Sequence, residues 1–135
     1  MKNSELINIA LSARRNSYCP YSGFAVGAAL LCADGSVYTG CNIENSAFSP
    51  TVCAERIAFF KAVSEGKKDF EKIAVVGGNA ENEPDNYCPP CGVCRQVMKE
   101  FCTADFEIII AKSADDFKIR TLSDLLPESF DKREV

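Results

Sequence analysis

The sequence predicts an α/β fold with a mixed sheet of about five strands. Apolar, partly β-branched runs alternate with stretches of helical periodicity, and the second half of the chain holds a strand, a helix and a strand in succession, which favours a parallel pair. An Asp-Gly pair at residues 34–35, between the first two apolar runs, is a hairpin signal and adds an antiparallel pair. The chain has 135 residues, 47% of them hydrophobic, which is enough for one core, so we expect a single domain over residues 1–135.

Each element follows from a local signal. Apolar side chains at helical spacing mark the first helix, Pro20 follows it, and Gly66 ends the second helix. Residues 77–90 are predicted to be a loop because they hold two glycines, three prolines and three asparagines. The predicted elements, in chain order, are a helix at 5–17, strands at 24–31 and 37–41, a helix at 52–65, a strand at 73–76, a helix at 92–101, strands at 106–111 and 117–120, and a short helix at 122–126.

The charge balance favours a small neutral substrate. The net charge is −4 and the pI about 4.9, whereas neutralising the phosphates of a nucleic acid requires clustered lysine and arginine. Residues 1–9 lack the basic and then apolar run of a signal peptide, and no apolar stretch approaches the roughly 20 residues that cross a bilayer. We therefore expect a soluble cytoplasmic protein that binds neither nucleic acid nor membrane.

The chain has eight cysteines and no predicted export signal, so its compartment is expected to be reducing. Metal ligation and core filling are then better uses for cysteine than disulfides. Cys32, Cys41 and Cys102 lie among apolar neighbours and are predicted to be structural, and Cys19 is interpreted in the same way.

Three other cysteines are placed as a metal site would require. Cys53 lies at the start of the second predicted helix, and Cys91 and Cys94 lie one turn apart at the start of the third. A helix N-terminus favours a thiolate because its N–H groups are unpaired and partially positive. The chain has no histidine, so a zinc ion here would have only sulfur ligands from these residues, with the fourth tetrahedral position left for water.

Two residues beside Cys53 are predicted to complete this chemistry. Three thiolates around Zn²⁺ leave a net charge of −1, and Arg56 is positioned to offset it by donating hydrogen bonds to sulfur. Glu55 is positioned to reach a water at the fourth position, and burial beside a negative site is expected to raise its pKa for acid/base work. The alternatives are an ordinary ion-pairing arginine and a surface glutamate that complements the helix dipole.

Cys88 offers a rival interpretation of the same cysteines. With Cys91 it forms a Cys-x-x-Cys motif, so a closed site of Cys53, Cys88, Cys91 and Cys94 around a structural zinc, or dithiol redox chemistry, is possible. Neither alternative explains Glu55, and the redox alternative leaves Cys53 without a role.

Five sequence blocks carry a family resemblance. They are PYS (20–22) followed by FAVGAAL (24–30), GCNIEN (40–45), CAER (53–56), PCGVCRQ (90–96) and LLPESF (125–130). In these blocks, which span nearly its whole length, the chain resembles the homotetrameric cytidine deaminases of pyrimidine salvage. The combination of Cys-x-Glu with Pro-Cys-x-x-Cys is a signature of zinc nucleobase deaminases. The resemblance implies a three-layer α/β/α fold, one Zn²⁺ per subunit on Cys53, Cys91 and Cys94, and catalysis by Glu55.

The resemblance also implies the substrate and its contacts. The expected reaction converts cytidine and 2′-deoxycytidine to uridine and 2′-deoxyuridine with release of ammonia, in a homotetramer whose subunits share active sites. Asn42 and Glu44 would hold the ribose 3′-hydroxyl, Phe24 would pack against the pyrimidine, and Phe130 would reach a neighbouring subunit's site. Without the resemblance, these residues would be interpreted as loop polarity and core.

The chain departs from the family pattern at a few places. Phe48 stands where the family commonly has tyrosine, and neither Cys88 nor the acidic stretch 81–85 belongs to the shared motifs. Two functional alternatives stay open: a deaminase for another amino-heterocycle such as blasticidin S, against which the Asn42-Ile43-Glu44 loop argues, and a non-enzymatic module built on four cysteines and zinc.

Overall fold

The structure, a computed structural model, describes residues 1–132. Four helices and five strands alternate along this part of the chain, close to the predicted order. The elements are α1 (Asn3–Arg14), β1 (Phe24–Cys32), β2 (Val37–Cys41), α2 (Ala54–Ser64), β3 (Phe70–Asn79), α3 (Gly92–Phe101), β4 (Glu107–Ser113), β5 (Asp116–Thr121) and α4 (Leu122–Leu125).

The five strands form one mixed sheet in the order β2-β1-β3-β4-β5. The pair β3 and β4 is parallel, and the other three neighbouring pairs are antiparallel. The parallel pair is connected through α3, as the strand-helix-strand prediction requires. The predicted mixed sheet of five strands is therefore confirmed.

Helices cover both faces of this sheet. On one face, α1 buries Leu6, Ile7 and Ala10 against aliphatic side chains of β1, β3 and β4. On the other face, α2 and α3 bury Phe59 and Met98 in a larger core. The predicted three-layer α/β/α arrangement is thus confirmed.

Glycines allow the helices to approach the sheet closely. A Cβ on Gly27 would lie 2.1 Å from the Ala10 carbonyl oxygen of α1, and one on Gly40 would lie 2.1 Å from the Ala54 carbonyl oxygen of α2. Since both distances are far below van der Waals contact, any side chain at either position would push a helix away. Gly40 thereby sets the height of the first turn of α2 above the sheet.

Seven of the nine elements begin or end one to three residues from the predicted bounds; α1, for example, spans Asn3–Arg14 and not 5–17. Two of the differences have a clear cause. The strand predicted at 73–76 is longer, because Gly77 and Gly78 continue the pairing with β1 opposite Val26 and Ala25. The helix predicted from residue 52 begins two residues later, because Val52 exchanges two backbone hydrogen bonds with Ile43 and is extended. In both cases a partner distant in sequence holds the backbone extended.

Arg14 links α1 to the segment that precedes α3. Its side chain is buried and donates hydrogen bonds to the carbonyl oxygens of Ala25 (2.9 Å), Gly78 (3.0 Å), Asn79 (2.6 Å) and Asn82 (3.0 Å). Sequence analysis did not predict this role. A signal was present, because Arg14 continues the apolar stripe of Leu6 and Ala10 at a spacing of four residues.

All eight cysteines are free thiols. Cys32 is buried and Cys102 half-buried, and both belong to or pack against the core under α2 and α3, in agreement with the structural role predicted for them. Within residues 1–132, no helix is both long enough and apolar enough to cross a membrane.

Candidate metal centre and substrate cleft

The N-termini of α2 and α3 bring three cysteines together. Cys53 is the N-cap residue of α2, Cys91 is the N-cap residue of α3, and Cys94 lies in the first turn of α3. Their sulfurs are 3.8 Å apart for Cys53 and Cys91 and 3.5 Å apart for Cys91 and Cys94, and all three lie within 4.8 Å of one another. Sulfurs that bind zinc tetrahedrally at about 2.3 Å are about 3.8 Å apart. The donor set therefore fits a zinc ion with three protein ligands.

Cys88 does not join this group. Among the described residues, the set of titratable side chains close enough to share a metal ion consists of Cys53, Cys91 and Cys94. The Cys88 side chain packs instead against Gly77 of β3, where an added Cβ would lie 2.7 Å from its sulfur. The geometry thus favours an open site of three cysteines over a closed site of four.

Arg56 lies beside the sulfurs. Its Nη2 donates a hydrogen bond of 3.3 Å to the Cys53 sulfur, and its Nε is buried with no hydrogen-bond partner among the described residues. Hydrogen bonds from Cys94, Arg56 and Cys91 to the Cys53 sulfur outweigh its burial and lower the pKa of Cys53 to about 5. At neutral pH the cluster already contains a thiolate, which is the form that binds a metal.

Glu55 is buried next to this cluster. Only 4% of its surface is exposed, although it is a charged residue in the first turn of a helix. Burial, assisted by the charge of the Cys53 thiolate, raises the pKa of Glu55 to about 7. A carboxyl group with this pKa can both accept and donate a proton near neutral pH.

A cleft of about 350 Å³ opens above Glu55 and the sulfur cluster. This volume lies within the range of small-molecule sites. The cleft brings together most of the predicted site residues, which lie far apart in sequence. Its lining includes Phe24, Asn42, Glu44, Cys53, Glu55 and Cys91, with Ser22, Val26, Thr51, Val52, Cys88 and Pro89 between them.

Asn42 and Glu44 are held in place by neighbouring backbone. The Asn42 Oδ1 accepts a hydrogen bond from the Val26 N–H (2.9 Å), and its Nδ2 donates one to the Phe24 carbonyl oxygen (2.8 Å). Glu44 accepts hydrogen bonds from the N–H groups of Tyr21 (2.9 Å) and Ser22 (3.1 Å) and from the Ser22 hydroxyl (2.5 Å). The Ser22 hydroxyl, with these N–H groups, holds the pKa of Glu44 below its usual value. Glu44 is therefore a fixed, ionised acceptor.

One predicted site residue, Phe130, lies outside the cleft of its own chain, and one residue that was not predicted, Ser22, lines it. Phe130 does not line the cleft of its own chain: its side chain is 58% exposed, and its carbonyl oxygen accepts a hydrogen bond from Gln96 of α3. Ser22, in contrast, was not predicted as a site residue and orients Glu44 directly. Its place in the block PYS, which the family resemblance had already singled out, was the available signal.

Together, the fold and this site define a class of protein: α/β enzymes that hold zinc with cysteines at two helix N-termini and place a glutamate beside the metal, as zinc nucleobase deaminases do. Comparison with known proteins agrees. Residues 1–110 match the family described as "Cytidine and deoxycytidylate deaminase zinc-binding region".

Similar proteins extend this match to the whole chain. The cytidine deaminase of Sporosarcina psychrophila is 46% identical over all 135 residues of this chain, which align with 96% of its own length. The cytidine deaminase of Halalkalibacterium halodurans is 47% identical over the same 135 residues, which align with 98% of its length. The crystal structure of cytidine deaminase from Burkholderia pseudomallei superposes with a TM-score of 0.87 at 42% identity, over 96% of this chain and 100% of that one. The chain belongs to the cytidine and deoxycytidylate deaminase family.

Proposed function

We propose that this protein hydrolyses cytidine and 2′-deoxycytidine to uridine and 2′-deoxyuridine, with release of ammonia. The observation that carries the proposal is the buried Glu55 carboxyl, which lies beside three metal-binding sulfurs and faces a cleft that also contains Asn42 and Glu44. Membership of the deaminase family and full-length similarity to cytidine deaminases support it.

Metal binding and proton transfer are assigned to different residues of the site. Cys53, Cys91 and Cys94 hold the zinc ion, which when bound supplies a Lewis acid that makes a water molecule nucleophilic near neutral pH. Glu55 accepts a proton from the attacking water and delivers it to ring N3 as C4 is attacked. Glu55 then takes the remaining proton of that water, now on the hydroxyl bonded to C4, and transfers it to the departing amino group, so that ammonia leaves as the C4 carbonyl forms. A carboxyl with a pKa near 7 is suited to both transfers.

Arg56 and the two helix N-termini adjust the charge of the site. Three thiolates and Zn²⁺ sum to −1, and the Arg56 guanidinium cancels that charge at hydrogen-bond distance from the Cys53 sulfur. The positive ends of α2 and α3 act in the same direction.

Asn42, Glu44 and Phe24 bind the nucleoside. The Asn42 Nδ2 has a second N–H beyond the one bonded to Phe24, and the Glu44 carboxylate can accept further hydrogen bonds, so the pair can hold the ribose 3′-hydroxyl. The exposed ring of Phe24 offers its face to the base. This ribose-binding pair favours cytidine and 2′-deoxycytidine over another amino-heterocycle nucleoside such as the antibiotic blasticidin S.

One set of measurements tests the proposal: zinc content and cytidine turnover of the purified protein and its variants. We expect the wild type to hold zinc and release ammonia, Glu55→Gln to keep zinc and lose turnover by about 10²–10⁴-fold, and Cys53→Ser to lose zinc. Cys88→Ser is the matched cysteine control and should keep zinc. A wild type that leaves cytidine unchanged, or a Cys88→Ser variant without metal, would contradict the proposal.

We further propose that the protein is a cytoplasmic homotetramer in which Phe130 completes a neighbouring subunit's site. Eight free thiols suit a reducing compartment, and Phe130 is exposed and absent from its own chain's cleft. Subunits carrying Glu55→Gln, mixed and exchanged with subunits carrying Phe130→Ala, should regain activity that neither homotetramer has. Sedimentation should show four subunits, and a mixture without restored activity would show that sites are not shared.

A further inference from the structure

Cys88 is the one cysteine of the cleft that lies outside the metal-binding group. It lines the same cleft as Glu55 and Cys91, and its thiol has no metal-binding partner among the described residues. Burial, and after it the charge of Glu55, raise the pKa of Cys88 to about 12, so the side chain is a neutral surface close to the Glu55 carboxyl. The mechanism above does not use it.

Gly77 of β3 supports Cys88 from behind. A Cβ on Gly77 would lie 2.7 Å from the Cys88 sulfur, 3.1 Å from the Cys88 Cβ and 3.1 Å from Cγ2 of Val26, which also lines the cleft. Since Cys88 already rests against strand backbone, it cannot retreat from a ligand. Any change in the size of residue 88 must therefore change the space inside the cleft.

Tyr87 fixes the backbone beside Cys88. Its hydroxyl donates a hydrogen bond of 2.5 Å to Asp116 at the start of β5, and the ammonium groups of Lys112 and Lys118 lie 4.7 Å and 4.2 Å from its ring centroid. On the other side, Pro90 is fully buried. The segment that carries Cys88 is thus anchored on both sides and forms part of the cleft wall.

We propose that Cys88 is a specificity-determining residue: its side chain forms the cleft wall beside Glu55 and limits the substituents accepted next to the pyrimidine's amino group. The inference rests on the proposed function, in which Glu55 acts at N3 and at the 4-amino group. The wall beside Glu55 then faces the edge of the ring that carries the 4-amino group and C5. The ribose contacts are assigned to Asn42 and Glu44, and none is assigned to Cys88.

The test compares cytidine with 5-methylcytidine and N4-methylcytidine in the zinc-loaded wild type, Cys88→Ala and Cys88→Leu. A methyl group in an apolar pocket changes discrimination by about tenfold or more. We expect Cys88→Ala to raise kcat/KM for at least one methylated substrate relative to cytidine by about tenfold, and Cys88→Leu to lower it by a similar factor. The ratio of 2′-deoxycytidine to cytidine is the matched control and should stay constant.

A binding measurement gives a readout independent of turnover. The ratio of the calorimetric Kd values for uridine and 5-methyluridine should shift in the same direction in each variant. Methyl discrimination within twofold of wild type in both Cys88 variants, by turnover and by binding, would overturn the inference. A wild type that does not deaminate cytidine would instead overturn the proposed function, so the two failures are distinguishable.

Gly77→Ala tests the support behind Cys88. The new methyl group should push the sulfur into the cleft and lower methyl-substrate acceptance, and adding Cys88→Ala should restore part of the loss. Residues in contact are expected to be non-additive, so additive effects of Gly77→Ala and Cys88→Ala on discrimination would count against the inference.

Discussion

The two faces of the sheet differ in composition and in what they do. The face under α1 is packed by aliphatic side chains, with Leu6, Ile7 and Ala10 against the strands. The face under α2 and α3 contains a cluster of four phenylalanines, in which four pairs of neighbouring rings have centroids 5.1 to 6.4 Å apart. The rings belong to Phe59, Phe70, Phe101 and Phe106. At the N-termini of the same two helices lie Cys53, Glu55, Cys91 and Cys94.

This difference shows how a single helix, α2, can both pack in the core and present the site residues. A buried glutamate and a group of thiolates are costly, and apolar burial elsewhere must offset that cost. On α2, Phe59 supplies such burial one turn beyond Glu55 and contacts Phe101 at the end of α3. The aromatic cluster therefore fixes the two helices relative to each other, which in turn fixes the distances between their sulfurs.

The largest expected effect is a loss of stability on either face, accompanied by a loss of zinc affinity only on the face under α2 and α3. Phe59→Ala should lower the free energy of unfolding by about 3–5 kcal/mol and weaken zinc binding, because α2 and α3 lose their common packing. Leu6→Ala, the control on the α1 face, should cost about 2–5 kcal/mol and leave the zinc affinity of the folded protein unchanged. Denaturant unfolding and chelator competition measure the two quantities. Equal loss of zinc affinity in both variants would refute this division between the faces.

Arg14 differs from the apolar side chains on the α1 face, because its guanidinium donates hydrogen bonds to the backbone of the segment before α3. Arg14→Met should cost roughly 3 kcal/mol, since several carbonyl oxygens lose a charged donor. Amide hydrogen exchange should quicken at residues 78–84 before it does so in α2. Arg14→Lys, which keeps the charge but not the planar fork of donors, should recover only part of the stability; full recovery would show that charge alone matters.

The smallest expected effect concerns the pH dependence of the α2 face in metal-free protein. Burial raises the pKa of Glu55 from 4.5 to about 7, so the folded state binds more protons than the unfolded state between these values. The contribution of Glu55 to stability is therefore lost as pH rises. Relative to Glu55→Gln, the wild type should lose about 2 kcal/mol between pH 5 and pH 8.

Urea unfolding of chelator-treated protein at the two pH values measures this loss. A wild type that gains stability relative to Glu55→Gln over the same range would have the opposite sign and would show that Glu55 is not buried in an uncharged form.

The sequence was informative where local spacing reflects chemistry. The Cys91–Cys94 spacing, the Cys53-x-Glu55 pair and the helix starts predicted the metal-binding group and the buried carboxyl, and the alternation of patterns predicted the order of helices and strands. The sequence was less informative where pairing with a segment distant in the chain determines the secondary structure. Gly77 and Gly78 are weak strand formers, yet they extend β3 because β1 lies beside them.

By itself, then, the sequence determined the type of each ligand, the lack of histidine and hence the sulfur-only set, and the acid/base role available to Glu55. The tertiary structure decided between the set of three cysteines that the sequence favoured and the closed set of four that it left open. Cys88 and Cys91 form a Cys-x-x-Cys motif as good as that of Cys91 and Cys94, but packing against Gly77 directs Cys88 into the cleft wall. The physical reason is that side-chain contacts between elements depend on how helices and strands pack, which no local spacing encodes.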